Sequence, residues 1–156
     1  MPETQSVPTT TMQPAQAPST PRKLFVNIPV RDLAASMEFF GKLGFNYNPQ
    51  FTDATAACML VGEDAYFMLL TEPKFKEFVR RPLGDARRET GALFAISANS
   101  RAEVDEIVKT ALAAGGSPAL DPTDHGFMYG WSFYDLDGHH WEVFWMDPSA
   151  ITGGAA

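Results

Sequence analysis

The stretch Asp135–Trp145, DLDGHHWEVFW, joins a turn to an alternating segment and sets an acid among aromatic residues. DLDG is typical of a tight turn, and the alternation after it predicts a β-strand. On that strand His140, Glu142 and Phe144 share one face, and the residues between them share the other. Because burying an unpaired carboxylate is costly or forces its protonation, Glu142 needs a partner such as a metal ion, an organic ligand or a neighbouring donor.

Length and composition favour one globular domain. The chain has 156 residues, 45% of them hydrophobic and 20% charged, which is enough to bury a core. Its formal net charge of -7 gives no electrostatic reason to expect nucleic acid or an anionic membrane as a partner. The single cysteine, Cys58, excludes an intramolecular disulfide and a thiolate-rich metal site, and its alternation with apolar neighbours predicts a small buried side chain.

The two ends of the chain differ in composition from the middle. Residues 1–22 are rich in Pro, Thr and Gln, which predicts a disordered tail without the apolar core of a signal peptide. Residues 148–156 are predicted to be a flexible C-terminal tail, so the domain spans residues 23–147. No apolar run reaches the length of a membrane-spanning helix, and we expect a cytoplasmic protein.

The first half of the domain, residues 23–72, predicts the order β-α-β-β-β. LFVNIPV alternates as a strand, and Asp32 is placed to cap the helix that follows, whose apolar stripe ends before Gly44. Three short runs, FNYNPQF, ATAACMLV and AYFMLL, predict three further strands, the last two joined by a hairpin turn.

The second half, residues 91–147, repeats that order. ALFAIS predicts a strand, and Ser100 with Glu103 forms a capping-box pattern before a helix that ends at Gly115. SPAL, FMYGWSFY and HHWEVFW predict the remaining strands. Between the halves, residues 73–90 form a basic connector, interpreted as a solvated loop with a short helix or, alternatively, as a flap that attracts an anionic ligand.

Two motifs together resemble a known family. VRDLAASMEFFGKLGF after the first strand and DLDGHHWEVFW at the end are similar to the glyoxalase / bleomycin resistance / dioxygenase family, the vicinal oxygen chelate superfamily, from Lys23 to Asp147. The resemblance implies an α+β fold of two tandem β-α-β-β-β modules, whose curved mixed sheets surround a cavity for a small molecule. We also expect a homodimer.

The family's metal enzymes take four ligands from the cavity face, one from the first and one from the last strand of each module. Carried over, the last ligand falls on Glu142. The other three positions fall on residues that are not usual ligands, namely Phe25 with Asn27 nearby, Met68 or Leu69, and Leu93. A rebuilt site for Zn, Ni, Mn or Fe would combine Glu142 with His140 or His125.

Other polar residues suggest chemistry without a metal. Asp124 precedes His125, which makes His125 a candidate general base, and Tyr129 a candidate proton donor, beside Glu142. Asn27, His140 and Trp131 are the candidate ligand-binding residues. The alternative for His125 is a loop residue that caps the chain, and for the row containing Tyr129 and Trp131 it is core packing.

The sequence therefore predicts a glyoxalase/bleomycin resistance-like protein that binds a small organic molecule in the cavity between its modules, without a certain cofactor. The alternative is a metal-dependent lyase, similar to lactoylglutathione lyase, or a dioxygenase with relocated ligands. Neither nucleic acid nor membrane is an expected partner.

Overall fold

The computed structural model describes residue 12 and residues 14–153. The first module has the predicted order, with elements β1 (Leu24–Val30), α1 (Leu33–Lys42), β2 (Asn46–Tyr47), β3 (Ala56–Leu60) and β4 (Ala65–Thr71). The strand predicted at residues 45–51 is shorter than expected. Pro49 opens a 3-10 helix there, and the Asn48 side chain caps it by accepting from the backbone of Gln50 at 3.0 Å.

The second module repeats the order and adds one strand. It contains β5 (Leu93–Ser97), α3 (Arg101–Ala113), β6 (Ser117–Pro118), β7 (Thr123–Asp124), β8 (Met128–Tyr134) and β9 (His140–Met146). The predicted capping box is confirmed, since the Ser100 hydroxyl accepts from the Glu103 amide and the Glu103 carboxylate accepts from the Asn99 amide. Strand β7, which lies in the loop before β8, was not predicted.

Each module forms its own mixed sheet. The first has the order β1-β4-β3-β2 and the second β5-β9-β8-β6, with β7 also paired to β8. The first and last strands of each module run parallel, β1 beside β4 and β5 beside β9, whereas the other pairs are antiparallel. The fold is thus the predicted α+β arrangement of two β-α-β-β-β modules.

The two modules share one aromatic core. Trp141 of β9 is fully buried. Its ring lies 4.6 Å from Phe67 of the first sheet and 5.2 Å from Phe40 of helix α1, measured between centroids. Phe39 of α1 contacts Phe133 of β8 in the same way. The helices therefore cover the sheet faces that carry these rings, and the opposite faces remain for a site.

The DLDG turn joins the modules by hydrogen bonds. Asp137 accepts from the Arg31 amide at 2.9 Å and from the Ser36 hydroxyl at 3.4 Å, both in the first module. Asp135 stays within its own module, where it accepts from the Trp141 indole nitrogen at 2.9 Å and from the amides of Asp137 and His139. Burial raises the pKa of the Asp135 carboxyl despite these donors.

The segments outside the sheets are short. The connector begins with helix α2 (Glu72–Lys76), and the rest of it has no strand, in agreement with the interpretation as a loop with a short helix. Helix α4 (Pro148–Gly153) occupies most of the predicted C-terminal tail, whereas the predicted N-terminal tail lies partly outside the described residues. No helix in residues 14–153 combines the length and the apolarity that crossing a bilayer requires.

Candidate functional site

A cavity of about 330 Å³ opens where the two modules and the connector meet. We call it the seam cavity. Strand β1, the connector, strand β5 and the start of β9 each contribute to its wall. Its apolar lining comes mainly from Ile28, Phe75, Leu83 and Phe94, and its polar lining includes Asn27, Thr90 and His140. This size and this mixture are typical of sites for small organic molecules.

His140 contributes a buried ring nitrogen to the lining of the seam cavity. Its Nε2 is buried and has no hydrogen-bond partner among the described residues. Its ring packs on Tyr134 with centroids 5.1 Å apart, which fixes the imidazole in place. Since an unpaired buried polar atom is unfavourable, a ligand that hydrogen-bonds Nε2 would be stabilised here.

Asn27 offers a second polar group on the first module. Its amide nitrogen donates to the Phe25 carbonyl at 3.2 Å along the same strand, and the residue is otherwise exposed. This bond leaves the side-chain oxygen available as an acceptor. The seam cavity is therefore lined by Asn27 from the first module and His140 from the second.

Contacts with both modules hold the connector against the seam cavity. The Arg31 guanidinium bonds Asp85 at 3.2 Å, and the Arg87 guanidinium donates to the Leu136 carbonyl at 3.1 Å. Gly138 lies directly beneath the connector with φ of +90°, and a Cβ there would come within 2.8 Å of the Arg87 backbone. The DLDG glycine is thus required by its conformation and by a close backbone approach.

Glu142 lines a different cavity, of about 150 Å³, which we call the Glu142 cavity. Glu142 pairs with Ser132 across strands β9 and β8, and a Cβ on Gly130 would lie 3.4 Å from its Oε1. His125 and Trp131 also line this cavity. The predicted candidates are therefore divided, because Asn27 and His140 line one cavity and Glu142, His125 and Trp131 line another.

Tyr129 does not join Glu142, and this corrects the predicted grouping. Tyr129 and Glu142 lie on opposite faces of the second sheet, since Tyr129 pairs with Trp145 and Glu142 with Ser132. The Tyr129 hydroxyl donates to Asp105 of helix α3. That hydrogen bond, together with burial, raises the pKa of Tyr129 to about 12. Its role in the structure is to join β8 to α3.

Asp124 does not orient His125 either. Arg101 bonds the Asp124 carboxylate at 2.5 Å, and this bond is the main reason that the pKa of Asp124 is lowered. The exposed His125 ring instead lies near Phe127, with centroids 6.3 Å apart. Trp131 packs partly against the shared core, in agreement with the alternative given above. The Asp124 carboxylate is therefore engaged by Arg101 and does not orient the His125 ring as a general base.

The connector residues that line the seam cavity were not predicted as site residues. Leu83, Thr90 and the neighbouring glycines follow no helix or strand periodicity. The basic composition of the connector predicts an anionic ligand under the flap alternative, whereas the connector residues that line this cavity are largely apolar and include the acids Asp85 and Glu89.

The donor set does not fit a divalent metal of the kind that the resemblance implies. Met68, rather than Leu69, shares the face of Asn27, because these two residues are paired across β1 and β4. Leu93 pairs with His140, and Glu142 pairs with Ala95. Within residues 12 and 14–153, no three His, Cys, Asp or Glu side chains form a group suited to a metal. No reaction step is therefore assigned to a metal here.

The family model described as Glyoxalase/Bleomycin resistance protein/Dioxygenase superfamily matches residues 24–143. Among solved structures, a hypothetical protein from S. aureus is similar, with 28% identity, a TM-score of 0.68, and coverage of 81% of this chain and 95% of that chain. No curated protein sequence matches significantly.

Two further solved structures share the fold at lower identity. A glyoxalase/bleomycin resistance protein/dioxygenase family enzyme from Burkholderia phytofirmans has 16% identity and a TM-score of 0.65, with 78% of this chain and 96% of that chain covered. The fosfomycin resistance protein FosX from Listeria monocytogenes, solved with Mn(II) and sulfate, has 17% identity and a TM-score of 0.61, with 90% and 100% covered. Because the family model matches residues 24–143, this chain belongs to the Glyoxalase/Bleomycin resistance protein/Dioxygenase superfamily.

Proposed function

We propose that the protein binds a small, largely apolar organic molecule with one hydrogen-bonding group in the seam cavity. The observation that carries this proposal is His140, whose buried Nε2 lacks a partner among the described residues and whose ring lines the cavity. The apolar body of the ligand would contact Phe75, Leu83 and Phe94, and its polar group would bind His140 or Asn27.

A suitable probe is 2-phenylethanol, which joins an aromatic body to one hydroxyl. We expect saturable shifts of the Asn27, Phe94 and His140 amide signals when the ¹⁵N-labelled full chain is titrated with it. His140→Leu removes the ring nitrogen, and we expect the Kd to rise roughly three- to tenfold, as the loss of one hydrogen bond implies. The signals of the unliganded variant provide the check that it is folded.

Glu142→Gln is the matched control, because Glu142 lies on the same strand and the same face as His140 but lines the other cavity. We expect this variant to bind 2-phenylethanol as the parent does, before and after dialysis against EDTA. Equal affinity of the parent and His140→Leu would contradict the proposal. Loss of binding after EDTA would instead favour the metal-dependent alternative.

We also propose that the protein is a homodimer. Phe25 and Leu93 lie on the sheet faces opposite the shared core and are 47% and 50% exposed. The two residues belong to different sheets, and exposed apolar side chains on a sheet face are the kind of surface that a partner subunit covers. We expect sedimentation equilibrium to give twice the chain mass of 17.1 kDa, and a double Lys variant of these two residues to be monomeric. Phe78→Lys in the connector is the control, and a monomeric parent would refute the dimer.

A further inference from the structure

We infer that the connector carries a docking surface for an anionic lipid bilayer, formed by Lys76, Phe78, Val79, Arg80 and Arg81. We call these five residues the connector patch. They lie at the end of helix α2 and in the loop that follows it. None of them lines the seam cavity, so the inference does not depend on the proposed function.

The apolar part of the connector patch is open to solvent. Phe78 is 69% exposed and Val79 is 39% exposed. A turn holds them outside the shared core, in which the Phe78 amide donates to the Phe75 carbonyl at 3.0 Å. An aromatic ring and an aliphatic side chain that are exposed together form the kind of surface that a partner or the interface of a bilayer covers.

Unpaired cations flank these two apolar residues. Lys76, Arg80 and Arg81 are all exposed, and no ion pair within the described part of the chain includes any of them. Cations beside apolar side chains suit an anionic membrane surface, because the cations attract the lipid headgroups while the apolar groups enter the interface.

The three acids nearest in sequence to the connector patch do not cancel its charge, because each of them is engaged by another cation. Glu77 bonds the Lys74 ammonium at 3.0 Å. The Arg31 guanidinium bonds Asp85 at 3.2 Å and Glu72 at 3.8 Å. The connector patch therefore stays positive.

The net charge of -7 belongs to the whole chain and does not describe this surface. Exposed charges are screened over about 8 Å at physiological ionic strength, so acids elsewhere on the protein act weakly on a headgroup that contacts the connector patch. A local cluster of Lys and Arg can therefore bind an anionic surface although the protein is acidic as a whole.

A bilayer fits the connector patch better than a soluble polyanion does. A single-stranded nucleic acid can stack a base on Phe78 and place phosphates near the arginines, but it offers nothing apolar to Val79. A purely acidic peptide would use the cations and leave both apolar side chains in water. The interface of a bilayer provides negative charge and an apolar environment side by side.

Co-sedimentation of the full chain with vesicles tests the inference. We expect saturable binding to phosphatidylcholine vesicles that contain about one-third phosphatidylserine, and roughly tenfold weaker binding to vesicles of phosphatidylcholine alone. Raising NaCl from about 0.1 M to about 0.5 M should weaken the binding, because the Debye length becomes shorter.

Two variants separate the contributions of charge and apolar contact. Arg80→Gln combined with Arg81→Gln is expected to lower the partition coefficient roughly ten- to thirtyfold, because each cation near the surface adds to the attraction. Phe78→Ser keeps every charge and is expected to lower it roughly fivefold, as the loss of an inserted apolar side chain implies. These residues are exposed and outside the shared core, and urea unfolding checks that the variants fold as the parent does.

Matched controls remove the same kinds of groups elsewhere on the surface. Lys42→Gln combined with Lys109→Gln removes two charges at exposed positions on helices α1 and α3. Phe51→Ser removes a ring that is 61% exposed and is followed two residues later by the acid Asp53. Because distant charges are screened, we expect both controls to stay within about twofold of the parent.

Three results would overturn the inference. Absence of binding to the phosphatidylserine vesicles would show that the connector patch is not a membrane surface. An equal loss of binding in the variant with both lysines replaced would show that net charge alone matters. Unchanged vesicle binding in Phe78→Ser, with tighter binding of the parent to poly-L-glutamate or oligo(dT), would assign the connector patch to a soluble polyanion.

Discussion

Gly138→Ala is expected to lower the free energy of unfolding by about 3 kcal/mol or more, because two effects act together. The backbone conformation, with φ of +90°, disfavours any residue with a Cβ, and that Cβ would come within 2.8 Å of the Arg87 backbone. Backbone atoms cannot rotate aside as a flexible side chain would. The connector must move, or the turn must change its conformation, and equilibrium urea unfolding measures the cost.

Gly62→Ala is the matched control for Gly138. Gly62 has no positive φ, and its Cβ would meet only the Ala65 methyl at 3.7 Å. We expect this variant to stay within about 1 kcal/mol of the parent. If both variants unfold at the same denaturant concentration, the close approach of the connector to the turn is not a constraint on the fold.

Trp141→Ala is expected to cost about 3–5 kcal/mol, the range for removing a large buried aromatic ring. Trp141 is fully buried, and its ring contacts Phe40, Phe67 and Phe94 from both modules. The substitution leaves a cavity in the shared core and removes the indole donor of the buried Asp135 carboxylate. We expect a single unfolding transition at a much lower urea concentration.

Trp145→Ala provides the comparison on the same strand and the same face. Trp145 is half-buried, and its ring contacts the Arg101 guanidinium, with the carbon of that group 5.1 Å from the ring centroid. Removing it should cost about 1 to 2 kcal/mol. A cost for Trp141→Ala that is no larger than this would mean that the core tolerates the loss of its central ring.

The order of the elements was predictable from the sequence, because the spacing of apolar residues differs between a strand and a helix and is visible within each segment. The alternation of β1 and the capping box of α3 each depend on residues near in sequence. The strand at residues 45–51 was predicted too long because Pro49 and the Asn48 cap favour a 3-10 turn over continued pairing.

Which residues lie together at the site was less predictable, because this depends on how the strands pair and on which sheet face the helices cover. Alternation alone places Tyr129 and Trp131 on one face of β8 but does not say which face is covered by a helix. The pairing of Phe133 with Trp141 assigns that face to the core and separates Tyr129 from Glu142. The seam cavity was hidden for a different reason, since part of its wall is a loop whose path no local pattern encodes.

The connector lines one side of the seam cavity without taking part in the core. None of residues 73–90 belongs to the shared aromatic and aliphatic cluster, although several of them line the cavity. Insertions or exchanges in this segment would therefore change the shape offered to a ligand while leaving most of the folding free energy in place. Diversification of ligand preference during evolution, or by loop grafting, has its least costly route through this segment.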